Sequence, residues 1–325
     1  MFFDVARILK YHKPDYFILE NVEGLIKHDP DKDDKSSPIG QTMKVILNTL
    51  EELGYKVDWK LLDATNFGVP QARKRVFIVG SLLTKPDLST IKTHKSKPLS
   101  SILEKGVSET DEDIKNFEKL LLKTYPDLNI LEGKIFRDWR GGNRNIHSWN
   151  INYKGQTTKI ERDFLEILMA ESKKDIWIPG VKKVGEGHRL TPKQIHQFYK
   201  KMTLSQLKKM LDKLVGQGYL TKQENTYRII AGKLSMPVSH ILDPSKYANT
   251  LVATDADRLV ILDRGHIRRF TDNEVKSLFG FDKKFRLPKD LRRSQMFDLF
   301  GNSVVVPVAQ AVSDSLLFRN NHKIT

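Results

Sequence analysis

PDYFILENVEGL (residues 14–25) joins a short apolar run, Tyr16-Phe17-Ile18-Leu19, directly to the polar pair Glu20-Asn21. An unbroken apolar run of this length reads as a buried parallel strand covered on both faces. A polar pair at the end of such a strand often marks a site of chemistry. Working outward, residues 3–12 fit a helix with Val5, Ile8 and Leu9 on one face. A charged loop, DPDKDDKSSPIG (29–40), precedes a second helix over 42–53. There Met43, Ile46, Leu47, Leu50 and Leu53 recur at helical spacing, and Gly54 follows in the usual capping position. YKVDWKLL (55–62) alternates like a strand, and RVFIVGS (75–81) reads as another. Strand, helix and strand in alternation predict an α/β layer architecture.

The 325 residues suffice for one large domain or two of medium size, and 39% are apolar. The sequence contains no cysteine, which excludes disulfides, thiolate metal sites and a cysteine nucleophile within these residues. Fifty-five basic against 40 acidic side chains leave a formal charge of +15. A balance of that size favours polyanions such as nucleic acid, although a lysine-rich proteome produces the same figure. No apolar run approaches the roughly 20 residues of a membrane-spanning helix. The opening MFFDVARILK lacks a signal-peptide layout. The expectation is a soluble cytoplasmic protein.

From residue 84 the character changes, and TKPDLSTIKTHKSKPLSS is a polar, proline-punctuated boundary. Residues 111–124 and 160–173 fit amphipathic helices. Between them, RDWRGGNRNIHSWN (137–150) carries Arg140 and Arg144. It reads either as a surface loop anchored by tryptophans or as a loop contacting DNA. Residues 181–232 hold eleven Lys/Arg against three Asp/Glu. Thr203 opens a capping box with Gln206, and Leu204, Leu207, Leu211 and Leu214 form one stripe. Gly216 and Gly218 end that helix, and TYRII follows as a strand. Helix, helix and a short β segment suggest a winged-helix-like block that would set a helix in the major groove. An ordinary amphipathic helix with lysine on its wet face is the alternative.

Three separated stretches bear on chemistry: Glu20-Asn21-Val22; FGVPQARKRVFIVG (67–80) with Gln71, Arg73 and Arg75; and MFDLFGNSVVVPVAQAV (296–312), preceded by IRRFTDNEVKSLFGFDKKF (267–285). Singly, each has a plain explanation: a helix cap, solvated arginines, a turn with an N-cap. Together and in this order they resemble the C-terminal portion of the DNA (cytosine-5)-methyltransferase family, over residues 1–83 and 250–318. TLVATDA (250–256) resembles the segment that closes the target-recognition domain of that family.

The resemblance implies an α/β fold: part of a Rossmann-like S-adenosylmethionine-dependent methyltransferase sheet plus a smaller α+β target-recognition domain. Residues 1–84 and 251–325 would form the catalytic part, and 85–250 the recognition domain. Glu20 would donate a proton to cytosine N3 as the neutral acid, kept so by burial. Arg75 would face the base, and Arg73 would fix Glu20 or the backbone. Asn302 and Ser303, opening a helix, would hold the amino-acid end of S-adenosyl-L-methionine. Gln71 and Thr250, with Arg140 and Arg144, would contact double-stranded DNA, whose target base must leave the stack. No metal is expected. Asp282 stands where the family commonly has proline, which puts a local turn in doubt.

The glycine-rich cofactor loop and the Pro-Cys-Gln nucleophile loop of the family have no counterpart in this sequence. The expectation is therefore one subunit of a two-chain enzyme, with a second polypeptide carrying both loops. A truncated, catalytically dead remnant and a DNA-binding module are the alternatives. The family most often implies a bacterial restriction–modification setting, with the protein associated with DNA in the cytoplasm.

Overall fold

The computed structural model describes residues 2–30, 36–138, 145–177, 187–230, 236–252, 256–288 and 290–317. The first elements are α1 (Phe2–His12), β1 (Tyr16–Val22), α2 (Gln41–Glu52), β2 (Lys56–Asp63), β3 (Gln71–Ala72) and β4 (Lys74–Ser81). Next come α3 (Glu112–Thr124), β5 (Ile135–Phe136), β6 (Asn145–Ile146), α4 (Lys159–Glu171), α5 (Pro192–Phe198) and α6 (Leu204–Gly216). The strands β7 (Leu220–Gln223), β8 (Thr226–Ile229), β9 (His240–Leu242), β10 (Ala248–Asn249), β11 (Leu259–Asp263) and β12 (His266–Arg269) follow. The chain closes with α7 (Asp272–Phe279), α8 (Arg293–Gly301) and α9 (Val306–Leu317). Contacts divide it into two units, residues 1–105, 244–257 and 271–325 in the first and residues 106–243 and 258–270 in the second.

The first unit is organised by a three-stranded sheet in the order β1-β4-β2. All its pairs are antiparallel, from Tyr16↔Ser81 to Val22↔Arg75 on one side of β4 and from Lys56↔Ser81 to Asp63↔Lys74 on the other. β1 is therefore not the parallel, doubly covered strand that its apolar run suggests. It has one strand neighbour among the described residues, and Ile18 and Val22 stay exposed. A continuous apolar run carries no information about strand direction. The central strand is β4, whose last six residues are all buried. One sheet face, with Phe17, Val76 and Ile78, packs on Leu9 of α1 and on Met43, Ile46 and Leu50 of α2. On the other face Phe77 lies with Val305 and Val308, beside the start of α9.

The returning chain enters this unit at β10, which pairs in parallel with β3. α7 begins at a capping box formed by Thr271 and Glu274, and it ends at Gly280 with φ +72°. A Cβ there would fall 2.3 Å from Cδ of Pro307, so glycine is required both for the left-handed conformation and for the close approach of α9. The turn at Asp282 forms without proline, because its carboxylate accepts from the Lys284 N–H at 2.7 Å. Residues 293–317 are apolar enough on average to cross a membrane, but they are broken into α8 and α9, of 9 and 12 residues.

In the second unit a five-stranded sheet runs β12-β11-β9-β5-β6. α3 contributes Ile114, Phe117 and Leu121 to its core. A separate core joins α4, α5, α6 and the hairpin β7–β8. The buried Asp138 accepts from the Ser148 N–H (2.6 Å) and Oγ (2.7 Å), tying residue 138 to residue 148.

Candidate active site

The antiparallel register of β1 and β4 fixes what Glu20 meets. Glu20 lies opposite Phe77 and Val22 opposite Arg75, so Glu20 and Arg75 are diagonal neighbours on one face. Nε of Arg75 stands 2.9 Å from Oε1 of Glu20. Both groups remain partly open to solvent, at 15% for Arg75 and 31% for Glu20. Glu20 is thus not buried as the sequence reading requires, because the packing that covers Phe77 on this face does not extend over the end of β1. A small cavity lies beside the pair, lined by Leu62, Phe77, Arg73, Arg75, Val304 and Val305. The valines were not among the expected site residues. The signal for them is the β-branched run Val304-Val305-Val306 before Pro307, whose first two residues lie between α8 and α9, outside either helix.

Arg73 points the other way along the chain. It is 3% exposed and stacks over the Phe279 ring at 5.4 Å. Its guanidinium donates to three carbonyls: Leu251 (3.0 Å), Gly301 (2.8 Å) and Ser303 (2.9 Å). It therefore fastens the segment after β10 and the α8–α9 turn to the start of β4. Burial, then the neighbouring Arg75, lower its pKa to about 10, against a smaller opposing pull from Glu20. It stays charged at neutral pH. Between the two possibilities for Arg73, the structure supports backbone fixation.

Gln71, expected at the DNA, is fully buried. Its Nε2 donates to the Leu278 carbonyl at 2.8 Å, and its Oε1 accepts from the Leu251 N–H at 3.2 Å. Both ends of the amide are used within the fold, which leaves Gln71 as a bracket between α7 and the returning strand. Thr250 is half-buried, and its hydroxyl donates to the Ala72 carbonyl. Arg140 and Arg144 lie outside the described residues.

Asn302 and Ser303 close α8 rather than open α9. Asn302 is the C-cap, its N–H donating to Asp298, and Ser303 Oγ donates to the Phe300 carbonyl at 2.8 Å. The residue types of a helix end and a helix start are alike here, and α9 begins only at Val306. The Asn302 side chain makes no hydrogen bond among the described residues. Among those residues no group of three His, Asp or Glu is placed to hold a metal ion.

Comparison with known proteins bears on this constellation. The sequence model of the C-5 cytosine-specific DNA methylases matches residues 1–317. The type II methyltransferase M.NlaIV of Neisseria lactamica is 44% identical over 98% of this chain and 76% of its own length. M.NgoBV of Neisseria gonorrhoeae is 44% identical over the same shares, 98% and 76%. M.BanI of Aneurinibacillus aneurinilyticus is 36% identical over 99% of this chain and 75% of its own length.

Proposed function

Because the chain belongs to the C-5 cytosine-specific DNA methylase family, we propose that it methylates C5 of cytosine in double-stranded DNA, as the modification enzyme of a bacterial restriction–modification system. In this reading a second polypeptide brings the thiolate, since the sequence holds no cysteine. The observation that carries the reading is the Glu20–Arg75 pair, held at 2.9 Å on adjacent strands beside an apolar cavity.

Cytosine C5 is a poor nucleophile until a thiolate has added to C6. The addition pushes negative charge onto the ring, and a donor at N3 disperses it. Glu20 is the group placed for that role, and it donates only when it carries a proton, because a carboxylate would repel the N3 lone pair. Arg75 leaves Glu20 as the base enters and donates to cytosine O2, for which a charged, fork-shaped donor is suited. Arg73 acts through the backbone, by keeping β4 and the α8–α9 turn in register. The exposed amide of Asn302 fits the polar end of S-adenosyl-L-methionine, whereas the Ser303 hydroxyl is committed to Phe300. S-adenosyl-L-methionine, when bound, would supply the methyl group from its sulfonium and leave as the thioether; loss of the C5 proton with elimination of the thiolate from C6 would then restore the ring. The second unit is the target-recognition part.

Two features support a complementary polypeptide. The outer edge of β1 has no strand partner among the described residues. Phe3, Ile8 and Tyr11 on α1, and Ile18 and Val22 on β1, are exposed apolar side chains. An uncovered edge beside apolar surface is a ready template for strand addition. The test is nucleoside mass spectrometry of DNA from cells expressing this chain with and without a polypeptide that carries a Pro-Cys-Gln loop. 5-Methylcytosine is expected only with both. Its absence from cells holding both as soluble proteins would favour an inactive remnant or a DNA-binding module.

A further inference from the structure

The second unit contains a small fold with its own core and a complete order of parts. α4, a one-residue strand at Leu190, α5, α6, β7 and β8 follow one another along the chain. Leu190 exchanges both backbone bonds with Tyr227 of β8, its N–H donating at 3.0 Å and its carbonyl accepting at 2.8 Å. That adds a third strand to the β7–β8 hairpin. Each helix starts at a capping box: Thr158 with Glu161, Thr191 with Gln194, and Thr203 with Gln206. α5 and α6 are joined by a short turn, as in helix-turn-helix domains, where the second helix enters the major groove.

One face of α6, with Leu207, Met210, Leu211 and Leu214, is buried in this core. The opposite face carries Ser205, Lys208, Lys209 and Asp212 at helical spacing, all exposed. Asp212 is engaged within the fold, by Lys222 of β7 at 2.9 Å and by the Tyr227 hydroxyl at 2.9 Å. These bonds brace the hairpin against the helix and leave the first two turns of α6 to present Ser205, Lys208 and Lys209. Ahead of them, Lys193, Lys200 and Lys201 are also exposed or partly exposed, and residues 187–211 contain no Asp or Glu. A lysine-bearing surface on the first two turns of a helix of 13 residues, with its one exposed acid, Asp212, bound to Lys222 and Tyr227, complements duplex DNA in charge and in width.

We propose that α6 is the sequence-reading helix of this protein, seated in the major groove of duplex DNA with Ser205, Lys208 and Lys209 toward the base edges and phosphates. Only the choice of DNA as partner rests on the methyltransferase reading. The β7–β8 hairpin holds α6 at its angle through Asp212.

The test measures binding of the full chain to mixed-sequence duplex DNA across a salt series, by fluorescence anisotropy. Lys208→Gln with Lys209→Gln should weaken binding about tenfold or more and lower the log–log salt slope by about 2, near 0.9 per lost phosphate contact. Ser205→Glu, with its carboxylate in the groove, should weaken binding to a similar degree. Lys119→Gln with Lys123→Gln on α3 makes the same change in net charge and should have a small effect. Selection of bound sequences from a randomised duplex pool should enrich one motif, altered at adjacent base pairs by Lys209→Gln. Equal losses in the α6 and α3 variants, or an enriched motif indifferent to Lys209, would overturn the proposal. Neither readout requires methyl transfer, so an inactive chain that passes both would count against the proposed reaction and not against α6.

Discussion

Glu20 and Arg75 sit two residues out of register on adjacent antiparallel strands, with the Arg75 Nε 2.9 Å from the carboxylate. The diagonal follows from β4 pairing with β1 over its whole length, and a one-residue slip would put the two groups on opposite faces. Arg73, two positions before Arg75, is directed to carbonyls inside the unit. Both arginines line the cavity, but Arg73 spends its guanidinium on the frame, whereas Arg75 pairs with Glu20.

Removing Arg73 should be costly. Arg73→Ala leaves three inward carbonyls without a donor, and a loss of about 3 kcal/mol or more is expected. Arg73→Lys should recover only part of it, because an ammonium cannot span the same three acceptors. Denaturant unfolding monitored by circular dichroism checks both. Wild-type stability in Arg73→Ala would contradict the anchoring role.

Gln71 should affect stability and leave DNA contact alone. Gln71→Ala unpairs the Leu278 carbonyl and the Leu251 N–H, at a cost of about 1–3 kcal/mol. Its salt slope for DNA binding should match the wild type. A lowered slope with an unchanged melt would return Gln71 to the DNA.

Gly280 should tolerate no side chain. Gly280→Ala places a methyl 2.3 Å from Pro307 in a left-handed residue, and about 1–3 kcal/mol of stability should go. Thermal unfolding tests this. An unchanged melting temperature would mean that α7 and α9 pack differently.

His147 should make the second unit acid-sensitive. It is 2% exposed and stacked on Trp149 at 4.5 Å. Burial pushes its pKa below the ordinary 6.5, against an opposing pull from Glu166. A depressed histidine contributes stability that is present above the unfolded pKa and lost as pH falls toward the folded one. Below pH of about 6.5 the stability should fall by up to about 1.4 kcal/mol per pH unit from this group. His147→Gln should show a shallower fall. Identical slopes would exclude the histidine.

Much of the first unit was legible because its periodicities are strong. The apolar positions of residues 42–53 made α2, with Gly54 after it at φ +91°. The direction of β1 was not legible, because an unbroken apolar run records burial and not polarity. Glu20 and Arg75 were legible through a motif, but the exposure of Glu20 depends on packing that stops short of the end of β1. Gln71 looked available for DNA because its partner at Leu251 lies 180 positions away. Asn302 and Ser303 misled because the same residues can end one helix or begin the next. The strand at Leu190 is a single bridge and leaves no pattern to read.

Methyl transfer by two complementary chains is measured as transfer of labelled methyl groups from S-adenosyl-L-methionine to unmethylated duplex DNA. The chain, a polypeptide carrying the Pro-Cys-Gln loop, and their mixture would be compared at equal concentrations. Incorporation is predicted in the mixture alone. Glu20→Gln and Arg75→Ala should each reduce it about 100-fold or more while leaving the melt within about 1 kcal/mol of wild type. Label transferred by this chain by itself, or wild-type rates from Glu20→Gln, would contradict the account.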